Sequence, residues 1–149
     1  MIIGYMKKII LSLILFSGLS ATANTDWGRS LCQSNGGQVS QIRLQFSATP
    51  TIEVCHLGQS LIELNTLDIS RFNSFGGPEA NRAYRETKNY DFNACQRKFG
   101  RNIRGQDLVN TRIYNICEFS DRSWIGMDTL TNGVASPWNR ELNNALGIF

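Results

Sequence analysis

The chain has 149 residues, with 15 Lys and Arg against 12 Asp and Glu. Lys7 and Lys8 lie in an N-terminal segment that we expect to be removed, which leaves 13 basic residues (15 − 2) against the same 12 acidic ones. A chain so nearly neutral gives no indication of nucleic acid or an anionic membrane surface as a partner. The 126 remaining residues (149 − 23) suffice for one ordinary domain or for two very small fused ones.

Residues 1–23 have the pattern of a secretory signal peptide. Lys7 and Lys8 form the positive segment, an apolar run follows from Ile9, and Ala21-Thr22-Ala23 provides a cleavage site. The apolar run is shorter than the ~20 residues that span a bilayer, which favours cleavage over an uncleaved anchor. We therefore expect a periplasmic or secreted protein with no membrane insertion after cleavage, whichever of Met1 and Met6 is the start.

The rest of the chain reads as two tandem repeats, residues 24–87 and 88–149. A Ser-x-Ile-x-x-x-Thr-Leu pattern follows the second cysteine of the first copy, where Leu61 precedes the Ile, and it recurs after the second cysteine of the other copy. An Asn-Arg pair also recurs near the end of each copy. The matched residues are Cys32 and Cys95, Cys55 and Cys117, Ser60 and Ser123, Asn81 and Asn139, and Arg82 and Arg140.

Each copy is predicted to begin with a short helix that ends at a glycine, Gly36 or Gly100. Shared helix faces indicate core positions for Trp27 with Leu31, and for Phe92 with Cys95 and Phe99. Strands follow: an alternating one with Ile42, Leu44 and Phe46 buried, then 51–57 and 61–65 in the first copy, and about 111–119 and 124–129 in the second. A Pro-led helix closes each copy, with Ser136 as the cap of the second one.

The fold class predicted from these elements is α+β, with two antiparallel three-stranded meanders packed pseudo-symmetrically and covered by short helices. Four cysteines allow three pairings, and the repeat selects Cys32 with Cys55 and Cys95 with Cys117. A metal site is the weaker alternative, because there is no Cys-x-x-Cys and only one histidine. We expect no metal and no cofactor.

No nucleophile motif, phosphate-binding loop or metalloprotease motif occurs in the chain. His56 is interpreted as a surface strand histidine, because its neighbour Cys55 is expected to be oxidised and cannot serve as a nucleophile. The carboxylates near the hairpins are interpreted as charged face residues; they are Glu53, Glu63, Asp121 and Asp128. Trp27, Trp124 and Trp138 are assigned to the core, in preference to an aromatic recognition surface.

A family resemblance rests on three short motifs: Cys-x3-Gly-Gly from Cys32 to Gly37, Tyr-Asn-Ile-Cys-x-Phe-x-Asp from Tyr114 to Asp121, and Ser-x-Ile from Ser123 to Ile125. Together they resemble a small exported bacterial domain that carries the label haemolysin and whose function is unknown. The resemblance covers about 35 residues in each copy (a count of positions, not an energy). It implies an exported location and a fold rather than an activity, and the family's domain is single where this chain has two copies.

The pattern favours a non-enzymatic binding module for a protein or cell-envelope ligand, with an enzyme inhibitor as one form of it. The candidate contact residues are in the hairpin loops: Gln59, Asp121 and Arg122. Two alternatives stay open at this stage. One is a secreted toxin, which would need an exposed amphipathic or strongly basic segment. The other is a hydrolase of envelope sugar, which would need two carboxyl groups across one cleft.

Overall fold

The computed structural model describes residues 26–68 and 76–148. The signal-peptide prediction and most of the predicted loop 68–77 fall outside these residues. The described chain is α+β, with short helices and six strands that close into one antiparallel barrel. The elements are α1 (Asp26–Ser34), β1 (Gln38–Gln45), β2 (Thr51–Leu57), β3 (Ser60–Glu63), α2 (Leu64–Leu67), α3 (Glu79–Glu86), α4 (Ala94–Arg97), β4 (Arg101–Asp107), β5 (Ile113–Glu118), β6 (Trp124–Gly126), α5 (Met127–Asn132), a 3-10 turn (Pro137–Asn139) and α6 (Arg140–Leu146).

The barrel has the strand order β1-β2-β3-β6-β5-β4 and closes through β1 and β4. Each set of three strands is a meander, as predicted, and two antiparallel seams join the sets. In one seam Arg43 of β1 pairs with Gln106 of β4. In the other, Ile62 of β3 pairs with Ile125 of β6. Closure leaves the six strands in one barrel rather than in two separate sheets.

Alternation along the strands fills the inside of the barrel with aliphatic side chains and one indole. This inner cluster consists of Ile42, Leu44, Ile52, Val54, Leu61, Ile103, Ile116 and Trp124. The interior is tight at Gly105, where an added Cβ would lie 2.3 Å from Cγ2 of Ile42. Only glycine therefore fits at this point of β4.

A second apolar cluster lies outside the barrel, between the strands and the helices that cover them. It contains both disulfides and the inward faces of α3, α5 and α6. Cys32 and Cys55 are joined with Cα atoms 5.7 Å apart, and Cys95 and Cys117 with Cα atoms 5.8 Å apart, which confirms the predicted pairing. Each disulfide ties the helix before a strand to the middle strand of its meander, so the helices are held against the barrel wall.

Two strand predictions extended too far. Residues 64 and 65 begin helix α2, and residues 127–129 begin helix α5. Glu63 explains the first change, because its carboxylate accepts hydrogen bonds from the backbone N–H groups of Asn65 and Thr66 and so caps the helix. Phe46 was also wrong: the strand ends at Gln45, and Phe46 is exposed with a positive φ of 61°.

The predicted burial of several aromatic residues is also wrong. Trp27 is 68% exposed, and Phe92 and Phe99 point away from the face of α4 that carries the buried Cys95. The helices are so short that one turn supplies the whole buried face: Gly28 and Cys32 in α1, and Ala94 and Cys95 in α4. Trp124 is buried in the barrel, as predicted, whereas Trp138 is 37% exposed.

The closing helices agree with the prediction. Pro78 precedes α3, and Ser136 caps the turn that leads into α6 by accepting a hydrogen bond from the backbone N–H of Trp138. The recurring asparagines are fully buried within this layer. Asn81 donates to the backbone carbonyl of Thr66, and Asn139 donates to that of Thr129. Helix-to-loop hydrogen bonding, which the sequence favoured for these pairs, is confirmed.

Candidate functional site

One end of the barrel opens into a cleft of about 450 Å³, which we call the mouth cleft. Its walls come from the end of β2 with the β2–β3 turn, the start of β5, the junction of β6 with α5, and the 3-10 turn. The lining residues are His56, Gly58, Gln59, Leu61, Arg112–Asn115, Gly126–Thr129 and Trp138. The concave site is therefore assembled from parts of the chain that are distant in sequence.

The cleft exists because β6 is only three residues long. The last pair between β5 and β6 joins Ile116 to Gly126, and the chain then turns into α5 at Met127. Strand β5 begins earlier, at Ile113, so its first three residues have no neighbouring strand on the β6 side. That side of β5 forms one wall of the mouth cleft.

A polar cluster of His56, Ser40 and Asp107 lies at the same end of the barrel. The His56 Nε2 atom is 2.8 Å from Ser40 Oγ and 2.9 Å from Asp107 Oδ2. Ser40 Oγ also donates a hydrogen bond to Asp107 Oδ2, at 2.6 Å. Strands β1, β2 and β4 each contribute one residue, and these three residues continue the inward-facing side of their strands beyond the apolar cluster.

Asp107 is the anchor of this cluster. Its side chain is fully buried, and its second oxygen, Oδ1, accepts hydrogen bonds from the backbone N–H groups of Val109 and Asn110 in the β4–β5 turn. Burial raises the pKa of Asp107, but hydrogen bonds from Ser40, from the two turn N–H groups and from His56 outweigh it and hold that pKa below its ordinary value. Asp107 is therefore ionised at neutral pH.

The geometry of this cluster orients the imidazole rather than activating a nucleophile. In Ser-His-Asp catalysis the serine and the carboxylate bind opposite ring nitrogens, so that one nitrogen can take the serine proton. Here both Ser40 and Asp107 approach Nε2, and the buried Ser40 hydroxyl donates to the carboxylate. His56 is only 22% exposed at its side chain. The surface histidine expected from the sequence is thus a fixed, half-buried residue of the cleft wall.

Aromatic side chains form the rest of the surface around His56. The Tyr114 ring centroid is 5.7 Å from that of His56, with the two planes tilted by 54°. The Tyr114 hydroxyl accepts a hydrogen bond from Asn110 Nδ2, at 3.0 Å, in the turn that Asp107 holds. Trp138 presents an exposed indole from the 3-10 turn. The assignment of Trp138 to the core is corrected by its position: Asn139, the next residue, is the one that points inward.

The opposite end of the barrel is closed by a different polar group centred on Glu118. Its Oε2 accepts hydrogen bonds from Trp124 Nε1, at 2.9 Å, and from Ser47 Oγ, while its Oε1 pairs with Arg101 at 2.6 Å. Burial raises the pKa of Glu118, and the bonds from Ser47, Trp124 and Arg101 overcome this and lower it. Glu118 follows Cys117 as His56 follows Cys55, so equivalent positions close one end and line the other.

The structure separates the three loop residues selected from the sequence. Gln59 lines the mouth cleft. Asp121 and Arg122 line another depression, of about 300 Å³, beside residues 76–78. Asp121 is engaged there, because it accepts hydrogen bonds from the backbone N–H of Glu79 and from the hydroxyl of Ser123. Arg122 is exposed in a turn with a positive φ of 60°.

The carboxylates near the hairpins do not meet in the mouth cleft. Glu53 pairs with Arg29, and Glu63 is buried as the cap of α2, so the reading of Glu63 as a surface residue is wrong. Asp128 is the carboxylate that lines the cleft among the residues described. Within 26–68 and 76–148, no group of three or more His, Cys, Asp or Glu side chains could hold a metal ion.

The sequence identified His56 and Gln59 but missed Ser40 and Asp107. Ser40 is a polar residue at an inward position of an otherwise apolar alternation, which is a weak signal of a buried hydrogen bond. Asp107 lies 67 positions from Ser40, and nothing local connects the two. Only closure of the barrel through β1 and β4 brings them together.

Comparison with protein-family models, with curated protein sequences and with solved structures found no match. In the part of the chain that the structure describes, no helix has the length and hydropathy needed to cross a membrane. The case for a function therefore rests on the geometry of the mouth cleft.

Proposed function

We propose that this chain is a non-enzymatic exported binding protein that holds a protein or cell-envelope ligand in the mouth cleft. The observation that carries the proposal is the concave wall of His56, Tyr114 and Trp138, in which aromatic faces are combined with convergent polar groups. Aromatic residues supply large contact areas at low entropic cost and commonly dominate binding energies. The two disulfides and the leader pattern of residues 1–23 support a periplasmic or secreted location.

The fixed geometry around His56 favours binding over catalysis. A binding wall gains affinity when its side chains are ordered before the ligand arrives, because less entropy is lost on association. Asp107 and Ser40 hold the His56 ring, and Asn110 holds the Tyr114 hydroxyl. Arg112 and Asp128 add one charge of each sign, which suits a ligand of low net charge.

We also infer that the barrel arose by duplication, with its halves related by a pseudo-twofold axis. In such an arrangement a residue at the axis lies opposite its own counterpart. Arg43 pairs with Gln106, and Ile62 pairs with Ile125, and both pairs are 63 positions apart (106 − 43 and 125 − 62). Cys32 and Cys95 have the same spacing (95 − 32).

Side-chain contacts across the second seam support the same inference. Thr66 Oγ1 accepts a hydrogen bond from the backbone N–H of Trp124, and Thr129 Oγ1 accepts one from that of Leu61. Both members of this reciprocal pair are again 63 positions apart (129 − 66 and 124 − 61). On this view the mouth cleft and the depression beside Asp121 are equivalent places, of which the first has acquired the aromatic wall.

The proposal is tested by titrating the purified mature protein with fractionated envelope material: peptidoglycan fragments and soluble envelope proteins. The protein contains three tryptophans, so binding is followed by their fluorescence. We expect saturable binding that falls at least tenfold in Trp138→Ala, a loss typical of a contact worth over 1 kcal/mol. Trp27→Ala is the matched control, because Trp27 is also exposed but lies on α1, outside the cleft. Equal binding by both variants and the wild type would refute the assignment of the cleft.

A further inference from the structure

We propose that the ligand of the mouth cleft is an extended peptide, which binds by adding a strand to the free edge of β5 at Ile113–Asn115. This deepens the proposed function and depends on it for the location of the site. The argument starts from the direction of the main-chain groups along β5, continues with the exposure of the strand edge, and ends with the side chains around it.

The directions follow from two hydrogen bonds at the ends of β5. The backbone carbonyl of Arg112 accepts from the N–H of Asp107, at 2.9 Å, and therefore points to β4. The N–H of Phe119 donates to the carbonyl of Ser123, at 3.0 Å, and therefore points to the β6 side. Successive residues of a strand alternate in direction, so the main-chain groups of Ile113 and Asn115 also point to the β6 side.

Strand β6 does not reach these residues. Its last pair is Gly126 with Ile116, and from Met127 onward the backbone is helical. The N–H and C=O groups of Ile113 and the N–H of Asn115 are therefore available on the cleft side, and none of them has a hydrogen-bond partner among the described residues. Two donors and one acceptor in this order match the main chain of an incoming strand.

The edge lacks the devices that usually prevent strand addition. Edge strands are commonly protected by proline, by a bulge or by charged side chains on the edge itself. Residues 113–115 are Ile, Tyr and Asn, and Ile113 is 55% exposed. An apolar residue left open on an unpaired edge indicates a surface that is covered when a partner is present. Arg112 supplies the nearest charge, at the entrance to the strand.

The surrounding side chains can hold those of a peptide. Tyr114 packs against the inner apolar cluster and presents its ring beside His56. Trp138 and Met127 line the opposite wall of the cleft. A peptide paired with Ile113 would therefore place alternate side chains against these aromatic and thioether groups. We infer a preference for an aromatic or large aliphatic residue in the centre of the bound segment.

The experiment uses the mature protein and two probes. One is a soluble hexapeptide library with tyrosine fixed at one central position, from which the tightest member is resynthesised. The other is a β-1,4-linked N-acetylglucosamine hexasaccharide. We expect the peptide to bind. Methylation of its backbone nitrogens one at a time should weaken binding at alternate positions and spare those between, because only every second N–H faces β5.

The protein variants isolate the Asn115 N–H. Asn115→Pro removes this donor, and it leaves the β4–β5 ladder intact because residue 115 points away from β4. Asn115→Ala keeps the donor and removes the side chain. We expect Asn115→Pro to weaken the peptide about fivefold to tenfold, the effect of one lost hydrogen bond, and Asn115→Ala to change it less than twofold. If Asn115→Pro fails to fold, the methylated peptides test the same contact on the wild-type protein.

The outcomes separate this inference from the proposed function. A peptide whose affinity is indifferent to backbone methylation and to Asn115→Pro, but is lowered by Trp138→Ala, refutes strand addition and leaves the cleft as a binding site. Binding of the saccharide alone, again sensitive to Trp138→Ala, does the same. If neither probe binds, strand addition is refuted. The proposed function then stands or falls by the envelope fractions.

Discussion

Asp107 of β4 and His56 of β2 are joined by a hydrogen bond of 2.9 Å across strand β1, which lies between them in the barrel. Ser40 of that intervening strand bonds to both. One carboxylate thus links three strands and, through Val109 and Asn110, the turn that leads into β5. The shape of the mouth cleft depends on this carboxylate, because it fixes both the ring in one wall and the start of the strand in another.

The first prediction concerns pH. The pKa of Asp107 is below its ordinary value of 3.8 in the folded protein, so the folded state binds fewer protons than the unfolded one as pH falls. The stability that the ionised group contributes is present above about pH 4 and is lost as pH falls through the folded pKa. Asp107→Asn should lower the free energy of unfolding by about 2 kcal/mol at pH 7, and this difference should shrink below pH 4.

Urea unfolding from pH 3 to pH 7 measures this effect, with Ser40→Ala as the control. Ser40→Ala keeps the carboxylate and removes one of its donors, so its loss of stability should be smaller. Its acid transition should begin at a higher pH than that of the wild type, because one of the bonds that lower the pKa is gone. Parallel curves for Asp107→Asn and the wild type at all pH values would contradict the role of Asp107.

A second prediction concerns the disulfide of the second half. Cys117→Ser should lower the free energy of unfolding by about 2–5 kcal/mol, because the unfolded chain regains the freedom of a closed loop. It should also leave Cys95 as a free thiol, which mass spectrometry after alkylation would detect. The double variant Cys95→Ser/Cys117→Ser is the control, and it removes any effect of the unpaired thiol. Non-reducing peptide mapping that joined Cys32 to Cys95 or Cys117 would contradict the pairing.

Phe99 provides a third prediction, a stabilising one. It ends α4 in the left-handed region with a φ of 64° and is 90% exposed, whereas Gly36 has the corresponding position after α1, with a φ of 79°. A side chain in this conformation costs about 1–2 kcal/mol, part of which glycine returns as unfolded-state entropy. Phe99→Gly should therefore raise the free energy of unfolding by about 0.5–1 kcal/mol.

Phe99→Ala is the matched control for the loss of the aromatic ring. Alanine removes the same exposed ring and keeps a Cβ in the left-handed conformation, so it should bring no gain in stability. Thermal unfolding of the three proteins separates the two contributions. Equal gains for glycine and alanine would show that the exposed ring, and not the backbone conformation, is the unfavourable feature.

The sequence predicted what is local in this fold. Residues 51–57 form β2 with the expected bounds, because a strand flanked by turns is specified by its own alternation. The disulfide pairing was also predictable, since each bridge joins neighbouring elements of one meander. Closure of the barrel was not, because the pairs Arg43–Gln106 and Ile62–Ile125 join distant segments with no local signature.

The candidate site was predicted in part for the same reason. Gln59 is a turn residue, and the turn was visible in the sequence. The cleft itself depends on where β6 ends, and that is decided by Met127 entering a helix rather than extending the strand. The exposed Trp138 was assigned to the core because its spacing resembles that of a buried helix position. The 3-10 turn shifts the phase, so that Asn139 points inward instead.

The last prediction concerns Asn139, which holds the layer behind Trp138. Its Nδ2 donates to the carbonyls of Thr129 and Gly133, and its Oδ1 accepts from the Ser60 hydroxyl, all within the buried interior. Asn139→Ala would leave these three groups unsatisfied. It should lower the free energy of unfolding by about 3 kcal/mol, and it should weaken ligand binding as well, because the 3-10 turn that presents Trp138 loses its anchor.

Asn81 is the natural comparison for Asn139. It is equally buried and donates to the carbonyl of Thr66, but it lies in α3, away from the mouth cleft. Asn81→Ala should therefore destabilise the protein by about 1–3 kcal/mol and leave the affinity of the folded protein for its ligand unchanged. Denaturant unfolding and fluorescence titration of both variants give the two quantities. A similar loss of affinity in both would show that ligand binding follows general stability and not the position of Trp138.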